Sequence, residues 1–303
     1  MTAKCDWRES DFWFPIESSP TCLTPQSSKG HSATYDPESK RIYIFGGIKE
    51  GVRYNTVHVL DTMSWKWSLL QAKGKIPTLA YHSAAIYQKE LFVFGGLYPQ
   101  PSSDLEACSN TLYIFNPEYE LWYQPIVEGD KPLPRYGHSA TLLRNKMVLF
   151  GGKRSSIYLN DLHILDLGFM EYTTVPISKS APSPRCFHAA VPVADHKVLI
   201  SGGCSGAGVL RDVMTFNIDT AQWSQVPSGG FSWVSRAGHA MINITSAHLT
   251  DSDKENPGKR NCCTLLVFGG SNCAGTFFDD TIKIQLDLTE REGEFSNSSS
   301  SIQ

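Results

Sequence analysis

No apolar run in this chain approaches the ~20 residues that a membrane-spanning helix needs. Charge is scarce as well. Only 19% of residues are charged and the net charge is −3. That excludes the basic footprint of a nucleic-acid binder and the cationic face that holds a protein on an anionic membrane. Paired cysteines of metal or redox type are missing. The eight cysteines stand at 5, 22, 108, 186, 204, 262, 263 and 273, and none forms a CxxC. They read as reduced thiols, several of them small apolar fillers. Cys262, Cys263 and Cys273 are the one cluster, with only His248 near them in sequence to complete a zinc site. There is no nucleophile elbow, P-loop or dinucleotide fingerprint. The first residues, MTAKCDWRESDFWF, are polar and acidic where a signal peptide would be apolar. The expected location is therefore the cytosol.

What the chain does contain is a unit repeated five times. Each copy starts at a histidine beside small residues: His31, His82, His138, His188 and His239. The spacings are 51, 56, 50 and 51 residues. A short apolar run then ends in a glycine pair: Gly46–Gly47, Gly95–Gly96, Gly151–Gly152, Gly202–Gly203 and Gly269–Gly270. A second apolar run follows, and an aromatic closes four of the copies, at Trp67, Trp122, Tyr172 and Trp223. A fixed period near fifty, with 24 glycines, 17 prolines and short apolar runs, is the signature of an array of small β units.

Four antiparallel strands are expected in each unit. Strand a starts at the histidine and strand b runs into the glycines. Strand c is the second apolar run, and strand d surrounds the aromatic. Strands a to c carry consecutive apolar residues, as a sheet covered on both faces requires. The glycines allow a neighbouring side chain to come close, and the repeated aromatic is the natural candidate for that contact. The five recurring histidines, with His58 and His163 on strand c, read as buried imidazoles bonded to backbone. Each sits in a different unit, so they do not converge on a metal. Trp13, in the run FWFPI at 12–16, stands where the closing aromatic of a preceding unit would stand. The fifth unit has none, so strand 12–16 is expected to complete it. Residues 1–11 read as a flexible arm, 246–261 as a mobile loop insertion and 289–303 as a disordered tail.

The glycine pairs after apolar strands, with the closing aromatics, resemble kelch repeats over roughly residues 12–288. The resemblance implies an all-β, kelch-type β-propeller of five four-stranded blades. They lie near 31–71, 82–126, 138–177, 188–227 and 239–288, the last closed by 12–16. The PxPRxxH-type entries and the ending LVFGGSNCAGTFFDDTIKI look most like the Rab-effector kelch-motif proteins of endosomal trafficking.

Function is then sought in the loops. The b–c connections and the d–a segments should emerge together. The b–c loops carry Arg53, Tyr54, Tyr98, Lys153, Arg154, Tyr158, Arg211 and Phe277, which are the candidate partner-binding residues. Arg135, Arg185 and Arg236 each precede a repeat histidine by three residues. Because they recur with the repeat, a structural role for them is as well supported as binding. The expected function is a non-enzymatic adaptor for a protein or peptide partner, with no cofactor, no nucleic acid and no membrane insertion. The resemblance implies a small GTPase as partner, with recruitment to endosomal membranes. The alternative is a substrate-recognition subunit on a ubiquitin-ligase scaffold. A metal-dependent propeller enzyme, as in the kelch-like copper oxidases and iron-dependent specifier proteins, ranks last, since no Glu has Asp four residues on.

Overall fold

The computed structural model describes residues 24–99, 107–226, 235–245 and 262–287. Trp13, the strand at 12–16, the arm at 1–11, the insertion at 246–261 and the tail at 289–303 lie outside them. The chain divides into two compact units. One comprises Met1–Ile157 with His163–Thr174, the other Tyr158–Leu162 with Val175–Gln303.

Every described regular element is a strand. Blade 1 is the antiparallel sheet of Ser32–Asp36, Arg41–Phe45, Val57–Asp61 and Lys66–Leu69, paired in that order. Blade 2 repeats it with Ser83–Tyr87, Glu90–Phe94, Leu112–Asn116 and Leu121–Tyr123. Blade 3 uses Ser139–Leu143, Lys146–Phe150, Leu162–Asp166 and Glu171–Val175. Blade 4 uses Ala189–Ala194, Lys197–Ser201, Val213–Asn217 and Gln222–Gln225. Three strands of blade 5 are described: Ala240–Asn243, Cys262–Phe268 and Thr281–Asp287. The c–d turns close by side-chain caps. Asp61, Asn116, Asp166 and Asn217 each accept backbone N–H bonds from the two or three residues that follow.

Two blades carry a strand beyond the expected four. Lys73–Gly74 pairs in parallel with Leu121–Trp122, and Glu128–Gly129 with Glu171–Tyr172. In each case the chain leaving one blade adds a short rung to the outer strand of the next. Neither segment has an apolar pattern to announce it.

Burial between blades accounts for the apolar runs. Tyr43, Phe45 and Val59 of blade 1 share one core with Leu91, Val93 and Phe115 of blade 2. Phe92, Phe94 and Ile114 of blade 2 share another with Met147, Leu149 and Leu165 of blade 3. Within the second unit, Val191 and Leu199 of blade 4 pack with Leu265 and Ile284 of blade 5. At about 25 cal/mol per Å² of apolar surface, burial of this kind is the main stabilising term.

The glycine pairs do not receive the repeated aromatic. Gly95 has φ 68°, and a Cβ there would stand 2.7 Å from the His138 ring and 2.8 Å from the Arg135 carbonyl oxygen. The following glycine donates its N–H to that same segment: Gly47 to Leu79 O at 2.9 Å, Gly96 to Arg135 O at 2.8 Å and Gly203 to Arg236 O at 2.9 Å. Its absent side chain leaves room for its own blade's histidine: a Cβ on Gly96 would stand 2.9 Å from the His82 Cβ and 2.9 Å from the Ala80 carbonyl oxygen. The aromatics pack one residue earlier instead. Trp122 lies 4.6 Å from Phe45 and Tyr172 lies 6.2 Å from Phe94, ring centre to ring centre. Trp67 of blade 1 is only half-buried, unlike Trp122, Tyr172 and Trp223.

The repeat histidines also differ from expectation. His31 is exposed and reaches Ser28 O at 3.2 Å. The other four are buried, but two of them bond a hydroxyl rather than backbone. His82 Nε2 meets Ser32 Oγ at 2.9 Å, and His138 Nε2 meets Ser83 Oγ at 2.7 Å. Each serine follows the histidine of the preceding blade. Burial drives the His82 and His188 imidazoles down to about 3 and that of His239 down to about 4, so all three are neutral at pH 7.

Blade 4 has Ala189 where that serine would stand, and His239 Nε2 has no hydrogen-bond partner. Ala189→Ser should therefore supply the missing bond and raise the denaturant midpoint, by about 1 kcal/mol in stability. Ser83→Ala, which removes the buried bond to His138 Nε2, should lower stability by about 1–3 kcal/mol. Equal and negligible shifts in both variants would show that the serine–histidine pairs do not couple the blades.

Candidate functional site

Within each blade the b–c loop folds into a small hairpin anchored to the d–a segment. In blade 1, Ile48–Lys49 pairs with Val52–Arg53, and Lys29 bridges Ile48. In blade 2, Leu97–Tyr98 pairs with Ala107–Cys108, and Ala80 bridges Leu97. In blade 3, Lys153–Arg154 pairs with Ile157–Tyr158, and Tyr136 bridges Lys153. In blade 4, Cys204–Ser205 pairs with Gly208–Val209, and Cys186 bridges Cys204. In blade 5, Ser271 bridges both Ala237 and Phe277. The loops return onto the glycine pairs. Tyr54, Ser109, Leu210 and Phe278 donate their N–H groups to the carbonyls of Gly47, Gly96, Gly203 and Gly270. One glycine thus joins the next blade through its N–H and seats its own loop through its C=O.

The candidate residues sit on these hairpins with unequal exposure. Arg154, Arg211, Tyr98 and Phe277 are exposed; Arg53, Tyr54, Lys153 and Tyr158 are half-buried. Arg53 buries its Nε without a hydrogen-bond partner. In the first unit the structure groups Arg53 and Tyr54 on one hairpin and Lys153 and Arg154 on another. In the second unit, Tyr158, Arg211 and Phe277 lie on three separate segments.

The three recurring arginines are settled as structural. Arg135, Arg185 and Arg236 are 0%, 0% and 3% exposed. Each places Nη1 on the carbonyl of the first glycine of its own blade: Gly151 at 3.0 Å, Gly202 at 3.1 Å and Gly269 at 2.9 Å. Arg185 also grips Asp212 with two bonds, at 2.8 and 2.6 Å, and Arg236 grips Asp280 at 2.9 and 3.0 Å. The Phe278 ring stacks 4.5 Å from the Arg236 guanidinium. The fork geometry needs an aspartate just before strand c. Blades 1 and 2 have Ser28 and Leu79 at the arginine position, and there Thr56 and Thr111 replace the aspartate. Arginine and aspartate are present together or absent together, a pattern readable in the sequence once the register is known.

Sequence reasoning missed a second exposed set. The c–d turns of the first unit present Met63 and Trp65, Tyr119 and Phe169, at 77%, 57%, 66% and 81% exposure. Beside them a hollow of about 290 Å³ is lined by Arg41, Lys66, Trp67 and Pro117 among others. Asp61 and Ser68 line it as well. Among the described residues, no three His, Cys, Asp or Glu side chains converge on a possible metal position.

Short antiparallel sheets in sequence order, each with a glycine pair after its second strand, define a repeat-built β-propeller of five blades. A family model described as the FBX42 beta-propeller domain matches residues 28–223. Acyl-CoA-binding domain-containing protein 4 of Arabidopsis thaliana is 35% identical over 218 residues, covering 67% of this chain and 32% of that protein. Kelch domain-containing protein 3 of Rattus norvegicus is 26% identical over 291 residues, covering 77% of this chain and 75% of that protein. Host cell factor 1 of Homo sapiens is 32% identical over 242 residues, covering 73% of this chain and 12% of that protein. The chain belongs to the kelch β-propeller family. It spans about a third of the length of the two Arabidopsis relatives it matches.

The buried and exposed arginines should separate cleanly. Arg185→Ala leaves Asp212 and the Gly202 carbonyl without their donor and should cost about 3 kcal/mol. Arg154→Ala, on an exposed hairpin, should change stability by less than about 0.5 kcal/mol. Matching melting temperatures for the two variants would contradict this assignment.

Proposed function

We propose that this chain is a non-enzymatic interaction module that holds a protein or peptide partner on its b–c hairpins, in the cytosol. One observation carries the reading. The hairpins rise from backbone bonds to the glycine pairs, and the loops carry Arg53, Lys153, Arg154 and Arg211 together with Tyr54, Tyr98, Tyr158 and Phe277. Loops anchored on rigid sheets lose little freedom on binding, and arginine and aromatic side chains are the usual interface anchors. The guanidinium groups favour a partner with surface carboxylates. The finer proposal, which rests on the likeness to Rab-effector kelch proteins, is a small GTPase in vesicle trafficking, with recruitment to endosomal membranes through it. A ligase scaffold with this chain as substrate receptor is the second form of the same binding role.

The exposed c–d tips favour a competing location. Met63, Trp65, Tyr119 and Phe169 are large, exposed side chains that recur on the c–d turns of three blades. Burial of such side chains at an interface stabilises by about 1.5–3 kcal/mol each.

Capture of lysate proteins on the intact chain, on Arg53→Ala/Arg154→Ala/Arg211→Ala, and on Tyr119→Ser/Phe169→Ser tests both. The triple variant should lose at least about tenfold in capture, the effect of removing a single good anchor, with its melting temperature nearly unchanged. A GTPase held only in its triphosphate form would establish the trafficking role. Loss confined to the serine variant would move the site to the c–d turns.

A further inference from the structure

Cys186 and Cys204 stand opposite each other where the d–a segment of blade 4 meets its own b–c hairpin. They exchange both backbone hydrogen bonds, Cys186 N–H to Cys204 O at 2.9 Å and Cys204 N–H to Cys186 O at 2.8 Å. Their sulfurs are 3.5 Å apart, and both are thiols. The same bridge holds Lys29 and Ile48, Ala80 and Leu97, Tyr136 and Lys153, and Ala237 and Ser271 in the other blades. Nothing in the repeat therefore calls for two cysteines here.

The geometry points to a redox modification site: Cys186 and Cys204 close reversibly into a cross-strand disulfide when a peroxide or a small disulfide reaches Cys204. Residues that exchange both hydrogen bonds in an antiparallel pair have Cα atoms about 5.5 Å apart, inside the range a disulfide spans. Rotation of the two side chains is enough to bring the sulfurs together. Access sets the order of events. Cys186 is 1% exposed, whereas Cys204 is half-buried. With hydrogen peroxide, the Cys204 sulfur takes one oxygen and becomes a sulfenic acid, and the other oxygen leaves as water. The Cys186 sulfur then attacks the Cys204 sulfur, the S–O bond breaks, and the hydroxyl leaves as a second water with the Cys186 proton. Two thiols are oxidised and one peroxide is reduced. A dithiol reductant reverses the step by exchange.

The bond would tie the two ends of strands a and b of blade 4, Ala189–Ala194 and Lys197–Ser201, into one covalent loop. The b–c hairpin carrying Arg211 starts at Cys204, so the clamp acts at the base of a candidate contact loop whatever binds there. A third thiol lies nearby. The Tyr158 hydroxyl is held above its ordinary range by burial and by the charges that Cys204, Cys186 and Cys273 carry when ionised. Cys273 is exposed and is the natural competitor.

The test uses the full chain, treated with a small molar excess of hydrogen peroxide or of oxidised glutathione, freed of oxidant, unfolded in guanidinium chloride at mildly acidic pH to prevent exchange, alkylated with a maleimide, and digested with trypsin without reductant. Cleavage after Arg185, Lys197 and Arg211 places the two cysteines on separate peptides, 186–197 and 198–211. The expected result is a linked 186–197/198–211 pair and the loss of two alkylatable thiols. Cys108, Cys263 and Cys273 should stay alkylatable, and dithiothreitol should restore both lost thiols. Cys204→Ser, at a half-buried position that keeps the fold, should leave Cys186 fully alkylated after oxidation. Continued alkylation of Cys186 in the oxidised wild-type chain would overturn the proposal. So would a link from Cys204 to Cys273, or oxidation that stops at Cys273.

Discussion

The structure depends on a seam between neighbouring blades in which backbone, glycine and neutral imidazole meet. The second glycine of three pairs, Gly47, Gly96 and Gly203, donates to a carbonyl of the next blade, as Gly96 does to Arg135. The first glycine faces that blade's histidine, as Gly95 faces His138. Where a serine is available, the same histidine bonds back across the seam, as His138 does to Ser83. No side chain fits between these groups, so the repeat is intolerant there and permissive elsewhere. Apolar strands supply most of the free energy, while the seam decides how one sheet sits on the next.

Function inherits this division. The carbonyl of the second glycine accepts the returning b–c loop, so the hairpins begin from the most constrained atoms of the blade. Arg185 and Arg236, bonded to the first glycine carbonyl and to Asp212 and Asp280, stiffen the same place from beneath. Charge at the tips can then vary without cost to the fold. Arg154 and Arg211 are exposed where Arg185 and Arg236 are buried. The vicinal thiols of blade 4 sit at this junction too, which is where a covalent change would alter loop mobility most directly.

Much of the fold was legible because glycine pairs and histidines recur at a period near fifty. That period gives the blades and their strands, and it correctly brings the b–c loops and d–a segments together. It does not give the phase of one blade against the next. For that reason the sequence points the aromatic at the glycines, whereas Trp122 and Tyr172 pack on Phe45 and Phe94, one residue earlier. The hydroxyl partners of His82 and His138 are hidden because Ser32 and Ser83 look like ordinary small neighbours in sequence. The rungs at Lys73–Gly74 and Glu128–Gly129 carry no apolar signal at all, since backbone pairing alone forms them. The pairing of Cys186 with Cys204 likewise appears only once the d–a segment is laid beside the hairpin. The candidate site was legible as a set of loops, and the sorting of its arginines into buried and exposed required burial to be seen.

The most direct test of the seam is stability against pH. His82, His188 and His239 are held neutral by burial, with folded values of about 3, about 3 and about 4 against 6.5 when unfolded. Below 6.5 the unfolded chain therefore binds more protons than the folded one. The stabilisation is fully present above 6.5 and is lost as pH falls toward 4 and then 3. Urea midpoints taken between pH 7 and pH 5, above the ordinary carboxylate range, isolate the histidines. The account predicts a loss of about 1–2 kcal/mol per buried histidine across that interval. A flat profile would mean that these imidazoles take up protons in the folded state, and that the seam is not the closed, neutral contact on which the account rests.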